Sequence, residues 1–225
     1  MLDTFLDFFI TNFHVLTEMF LHLDLYLHKW ILILGPGIYA LLFVIVFCET
    51  GLVVTPFLPG DSLLFALGTF LQLKTGNLHF FWIATTLIVA AVLGDFVNYM
   101  IGYHVGPKIF KSKTSRWFNE KHLLSTRAFC ERHGKKTIIL ARFLPIFRTF
   151  APFVAGIGKM EYKSFCVFNI VGAIAWVSLF LALGFYFGAI PIVKENFEFV
   201  IVGIIFISFL PIIIRTINGY LASKH

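Results

Sequence analysis

Apolar residues run in long blocks, interrupted by a few polar or helix-breaking positions. A helix needs about 20 apolar residues to cross the hydrocarbon layer of a bilayer. Phe80–Tyr103 meets that length, with Asp95 and Asn98 toward its end. Ser164–Ile190 is 27 residues without a formal charge and reads as the clearest span. Phe199–Ile214 is shorter; bounded by Glu198 and Arg215, it reads as the last one.

Two further apolar regions do not read as simple spans. The first, Ile31–Leu73, contains Glu49, then Pro56, Pro59, Gly60 and Asp61, and resumes for only twelve residues before Lys74. The second, Thr137–Gly158, contains Arg142, Pro145, Arg148 and Pro152. Proline removes a backbone donor and glycine permits a reversal, so both regions predict helix–break–helix segments that enter the membrane and turn back. Irregular backbone at that depth must be buried in protein or reached by water. In residues 1–30, Phe5, Phe9, Phe13, Leu16 and Phe20 recur at helical spacing among four acids and Lys29, which predicts an interfacial amphipathic helix.

Composition agrees with a membrane setting. The mean hydropathy is +0.88, and 59% of the 225 residues are hydrophobic against 13% charged. Twelve acids and eighteen bases cannot clothe a soluble body holding 29 Phe. Disorder, collagen and a disulfide scaffold are excluded by the same figures. Cys48, Cys130 and Cys166 are widely spaced and show no metal-binding spacing.

Charge sets the orientation. Nine bases lie between His104 and Lys136, opposed there by Glu120 and Glu131 alone. Flanked by apolar blocks, this segment reads as a cytoplasmic loop rather than a nucleic-acid site. Phe80–Tyr103 then runs inward and Ser164–Ile190 outward, each preceded by one broken segment entering from opposite sides. The expected fold is an all-α integral membrane protein with two facing re-entrant segments in an inverted repeat, about three full spans and the N-terminal helix. The expected divisions are 1–30 for that helix, 31–103 for the first repeat, 104–136 for the basic loop, 137–190 for the second repeat, and 191–225 for the last span and tail.

Glu49, Asp61, Asp95, Arg142 and Arg148 all fall inside apolar regions. Each costs roughly 2.5–3.5 kcal/mol at a helix centre, so the five must be paired, hydrated or close to an interface. A structural reading has Glu49 or Asp61 pairing with Arg142 or Arg148 to pin the broken segments together. A functional reading has the arginines grip an anionic headgroup while a carboxylate exchanges a proton. Asp95 also fits a simple contact between helices. An enzyme is not expected. Spacings such as Lys135 to Arg142 and Ser115-Arg116 to His122 echo lipid phosphatases, but Phe143 and Thr126 stand where a proline and the orienting acid belong.

Phe47-Cys48-Glu49-Thr50-Gly51 through Pro59-Gly60-Asp61-Ser62, then Gly94-Asp95 with Asn98-Tyr99 and Gly102, resemble the bacterial DedA family. So does Gly134–Met160, with Arg142-Phe143-Leu144-Pro145 followed by Arg148-Thr149. The resemblance implies a multi-pass protein of the bacterial inner membrane that supports envelope integrity and depends on the proton motive force. It implies translocation of an anionic lipid, undecaprenyl phosphate or a phospholipid, with Arg142 and Arg148 binding substrate and Glu49 and Asp61 coupling protons. Asp95, Asn98, Pro59, Gly60 and Pro145 are expected to support that site. No cofactor, metal or nucleic-acid partner is expected, and oligomeric state, a homo-oligomer included, is not fixed. Two other readings stand beside this one: a proton-coupled exporter of small cations or drugs, and a membrane scaffold that transports nothing.

Overall fold

The structure, a computed structural model, describes residues 23–52, 60–74, 78–109, 137–188, 190–196, 199–200 and 203. The described residues are helical, without strands. Helix α1 (Leu23–Leu34) passes through a single 3-10 turn, Gly35–Gly37, into α2 (Ile38–Gly51). Pro36 is accommodated as the second residue of that turn, where a missing donor is tolerated. Leu25–Gly51 is therefore one apolar rod of 27 residues, long enough to cross a membrane.

After position 59 the short helix α3 (Gly60–Gln72) begins. Its residues from Gly60 to Leu71 are all buried, so it is enclosed on every side. The long helix α4 (Phe80–Ile109) follows, and Phe80–Val105 within it is the second membrane-length stretch. A helical turn over 137–141 unwinds at 142–144 before α5 (Pro145–Ile157). Pro145 stands in the first turn of α5 behind an extended Leu144, a position that requires no backbone donor. Pro152 lies inside α5 and withholds a donor from the carbonyl of Arg148. Helix α6 (Tyr162–Phe187) is the third membrane-length stretch, followed by the short α7 (Pro191–Glu195).

The packing is crossed. Helix α3 lies along α6, α5 lies along α4, α2 packs on α4, and α4 also meets α6. Close backbone approach makes this possible. A β-carbon on Gly68 would run into Leu181 and Phe185 of α6, and one on Gly184 would run into Phe65 of α3. On the other side, a β-carbon on Gly156 would meet Tyr99 and Tyr103 of α4, and one on Gly102 would meet Phe153 of α5. Leu42, Leu64, Leu67, Leu87, Trp176 and Leu181 lie in the core. Ile33, Phe81, Trp82, Val167 and Tyr186 stay more than half exposed, as suits side chains facing lipid.

Sequence and structure agree on α4 and α6 and differ at the start. The boundary expected at residue 30 falls inside a continuous helix, so the membrane-length rod joins the end of the expected amphipathic segment to the first broken segment. Lys29 and Glu49 sit near the two ends of that rod, where their charges do not prevent it from spanning. Most of the expected N-terminal helix, the basic loop from 110 onward and most of Phe199–Ile214 lie outside the described residues.

Candidate functional site

The five ionisable residues of the apolar regions meet in the interior, and all five are buried. They form two adjoining centres. In the first, Arg148 on α5 donates through Nη1 to Asp61 Oδ1 at 2.7 Å and through Nη2 to Glu49 Oε1. Glu49 is on the last turn of α2 and Asp61 on the first turn of α3, so the break between those helices brings both carboxylates to one guanidinium. The backbone N–H of Gly60 donates to Glu49 Oε1 at 3.0 Å. A side chain at position 60 would collide with that carboxylate, which explains the glycine.

Trp176 of α6 closes this centre. Its Nε1–H donates to Asp61 Oδ1 at 2.8 Å, and its ring lies 4.7 Å from Arg148 Cζ. The indole thus holds the acid by its edge and the cation by its face, a contact of about 2 kcal/mol when desolvated.

In the second centre Arg142 donates through Nη2 to Asp95 Oδ2 and to Asn169 Oδ1, with Ala91 O at 3.4 Å. Asn169 is fixed in turn by its Nδ2 donating to Val92 O at 3.1 Å. Arg142 sits in the unwound turn 142–144, and its stem lies against Gly172, where a β-carbon would come within 2.9 Å of Arg142 Cδ. Asn98 ties the halves together by donating to Thr50 O at 3.1 Å and Thr149 O at 2.7 Å.

Several buried polar atoms have no partner among the described residues: Glu49 Oε2, Asp95 Oδ1, Asn98 Oδ1, Arg142 Nε and Nη1, and Arg148 Nε. Unpaired polar atoms at such depth are expensive, so the two centres hold donor and acceptor capacity beyond their mutual contacts. Among the described residues no group of three or more His, Cys, Asp or Glu side chains is arranged to hold a metal ion.

The structure therefore brings together Glu49, Asp61, Asp95, Asn98, Gly60, Arg142 and Arg148. It pairs Asp95 with an arginine, which a mere helix contact does not require. Pro145 starts α5 just ahead of Arg148, and Pro59 lies outside the described residues. Sequence reasoning missed Asn169 and Trp176. Asn169 left a signal, since an amide inside an uncharged span needs a partner. Trp176 left none, because a tryptophan in a span is ordinarily packing.

A buried, charged centre framed by membrane-length helices defines a polytopic membrane protein built around an internal polar site. The VTT domain profile matches residues 58–186. The chain is 50% identical over 205 residues to Protein DedA of Escherichia coli K12, covering 91% of this chain and 94% of that one. It is 39% identical over 193 residues to an uncharacterized membrane protein of Mycobacterium tuberculosis, covering 86% and 85%. It is 33% identical over 180 residues to the inner membrane protein YghB of Escherichia coli K12, covering 80% of each. No solved structure matches it. The chain belongs to the DedA family of VTT-domain membrane proteins, and it is a multi-pass protein of the bacterial inner membrane.

Proposed function

We propose that this chain translocates an anionic lipid between membrane leaflets, an undecaprenyl phosphate or a phospholipid, in a cycle linked to the proton motive force and serving envelope integrity. One observation carries the reading: two buried arginines with N–H groups that find no partner among the described residues stand beside Glu49 and Asp95, each with one oxygen likewise unpartnered among them. A planar guanidinium suits a phosphate, and a phosphate can replace an internal carboxylate as its partner. Arg142 and Arg148 are the proposed headgroup ligands, and Glu49 and Asp61 the proposed proton carriers. Asp95, Asn98 and Gly60 hold that arrangement. Among the described residues three carboxylates face two guanidinia, so one proton brings that cluster to neutrality. Binding an anion to the arginines favours that proton by simple Coulomb attraction.

The proposal includes an inverted repeat. Its support is the matched crossing: Phe65 and Gly68 of α3 stand to Leu181 and Gly184 of α6 as Phe153 and Gly156 of α5 stand to Tyr99 and Gly102 of α4. Two equivalent pairs of short and long helices suit rocking of one half against the other. An exporter of small cations is less favoured, because each of the three core acids is already engaged by an arginine.

A scaffold reading draws on the same ion pairs, which tie α2, α3 and α5 together. Transport of labelled lipids in proteoliposomes, with thermal stability measured beside it, separates the two. Arg142→Lys and Arg148→Lys keep the charge and lose the fork, so transport is expected to fall about tenfold or more with folding retained. Glu49→Gln or Asp61→Asn is expected to remove the dependence on a proton gradient. Full transport in both lysine variants at unchanged stability would overturn the headgroup site. A scaffold predicts instead that single changes destabilise and that Asp61→Arg with Arg148→Asp partly restores stability.

A further inference from the structure

A second place in the fold has the chemistry of a lipid-binding site, and it lies outside the charged core. Where α4 ends and α5 turns into α6, a shallow cavity of about 390 Å³ is lined by Tyr99, Tyr103, His104, Lys159, Met160 and Tyr162. Its walls are the last turns of the span Phe80–Val105 and the first residue of the span Tyr162–Phe187, which puts it at the membrane surface. The floor is fixed: Tyr99 donates its hydroxyl to Met160 O at 2.6 Å, and its ring stacks on Phe165 with centroids 4.3 Å apart.

Lys159 is the unusual feature. Helix α5 ends with Lys159 N–H bonded to Gly156 O and Met160 N–H bonded to Ala155 O, both at 3.0 Å. This closure places Lys159 at φ +53°, a left-handed position that strongly favours glycine. A lysine there is costlier for the backbone than glycine and supplies a side chain that glycine lacks. Its Nζ lies 5.8 Å from the Tyr103 ring centroid, at the cavity rim. The neighbouring acid, Glu161, is engaged by Ser164 Oγ at 2.9 Å. Down α4, Val89, Leu93, Val97, Ile101 and Val105 form an exposed apolar stripe spaced four residues apart.

We propose that this cavity binds the phosphate head of an anionic phospholipid, with Lys159 on the phosphate, the hydroxyls of Tyr103 and Tyr162 beside it, and an acyl chain along the stripe of α4. Basic and aromatic side chains at the membrane boundary are suited to such heads. The site does not depend on the translocase reading, since none of its residues belongs to the charged core.

The test uses the delipidated full chain in detergent, titrated with fluorescent phosphatidylglycerol and phosphatidylcholine. The wild type is expected to prefer phosphatidylglycerol, and Lys159→Gly to lose about fivefold of that preference. Its thermal stability should hold or rise, because glycine relaxes the left-handed cap. Lys159→Arg should retain the preference. Three results would each overturn the proposal: an undiminished preference in Lys159→Gly, an equal loss in the neighbouring surface variant Lys163→Gln, or displacement of the lipid by equimolar inorganic phosphate.

Discussion

Asp61 Oδ1 accepts hydrogen bonds from two donors of different character, the guanidinium of Arg148 and the indole N–H of Trp176. The cation is tied to the same indole through its face, so Asp61, Arg148 and Trp176 form a closed triangle. Removing one member leaves the other two short of a partner in a place water does not easily reach. Trp176→Phe keeps a ring for Arg148 and loses the N–H, so the protein should lose about 1–3 kcal/mol of stability. Trp176→Leu loses the face as well and should cost more, about 3–5 kcal/mol. Denaturation of the purified variants in detergent checks the order. A double-mutant cycle of Trp176→Phe with Asp61→Asn should show coupling of about 0.5–3 kcal/mol, and strict additivity would mean the indole does not hold the acid.

Helices α3 and α5 are each 13 residues, hence about 20 Å long, too short to cross a hydrocarbon layer of about 30 Å. Their value lies in position. Each carries a charged residue of the first centre in its first two turns, Asp61 on α3 and Arg148 on α5. Each is clamped to a long helix through facing glycines. Gly68→Val and Gly156→Val should force the helix pairs α3/α6 and α4/α5 apart and cost about 1–3 kcal/mol or more, because neither site faces a flexible side chain that can give way. Gly35→Ala tests a different cost: it has open space around it but sits at φ +49°, so its loss should reflect backbone strain alone. Thermal unfolding of the three variants should rank both close-contact substitutions as the more damaging.

At the scale of the molecule, the basic segment is expected to set the orientation of the spans. With nine bases between His104 and Lys136, that segment should face the cytoplasm. A reporter at Ser112 should read cytoplasmic, one at Asn77 periplasmic, and one at His225 cytoplasmic. Cysteines engineered at Ser112 and Asn77 and labelled in intact cells check this. Labelling of Ser112 from outside would reverse the sidedness of both short helices and place the Lys159 cavity on the outer face.

Membrane residence, the spans α4 and α6, and the suspicion attached to Glu49, Asp61, Arg142 and Arg148 were legible in the chain. They follow from local quantities: the length of an apolar block and the cost of a charge inside it. The fourteen residues of α2 were harder to place, because the prolines beyond them drew attention to the break instead of to the rod behind it. That an acid of the first break pairs with an arginine of the second was legible as one reading; which acid meets which arginine was not. Arg148 reaches Glu49 and Asp61 across separations of 99 and 87 residues, while Arg142 reaches Asp95 across 47 and Asn169 across 27. Along the chain each arginine has every acid available to it. The choice is made where α3 crosses onto α6 and α5 onto α4, since that crossing brings Trp176 to Asp61 and leaves Arg142 facing Asp95. Such contacts depend on how helices pack, and helix packing is set by the shapes of facing surfaces rather than by any short run of residues.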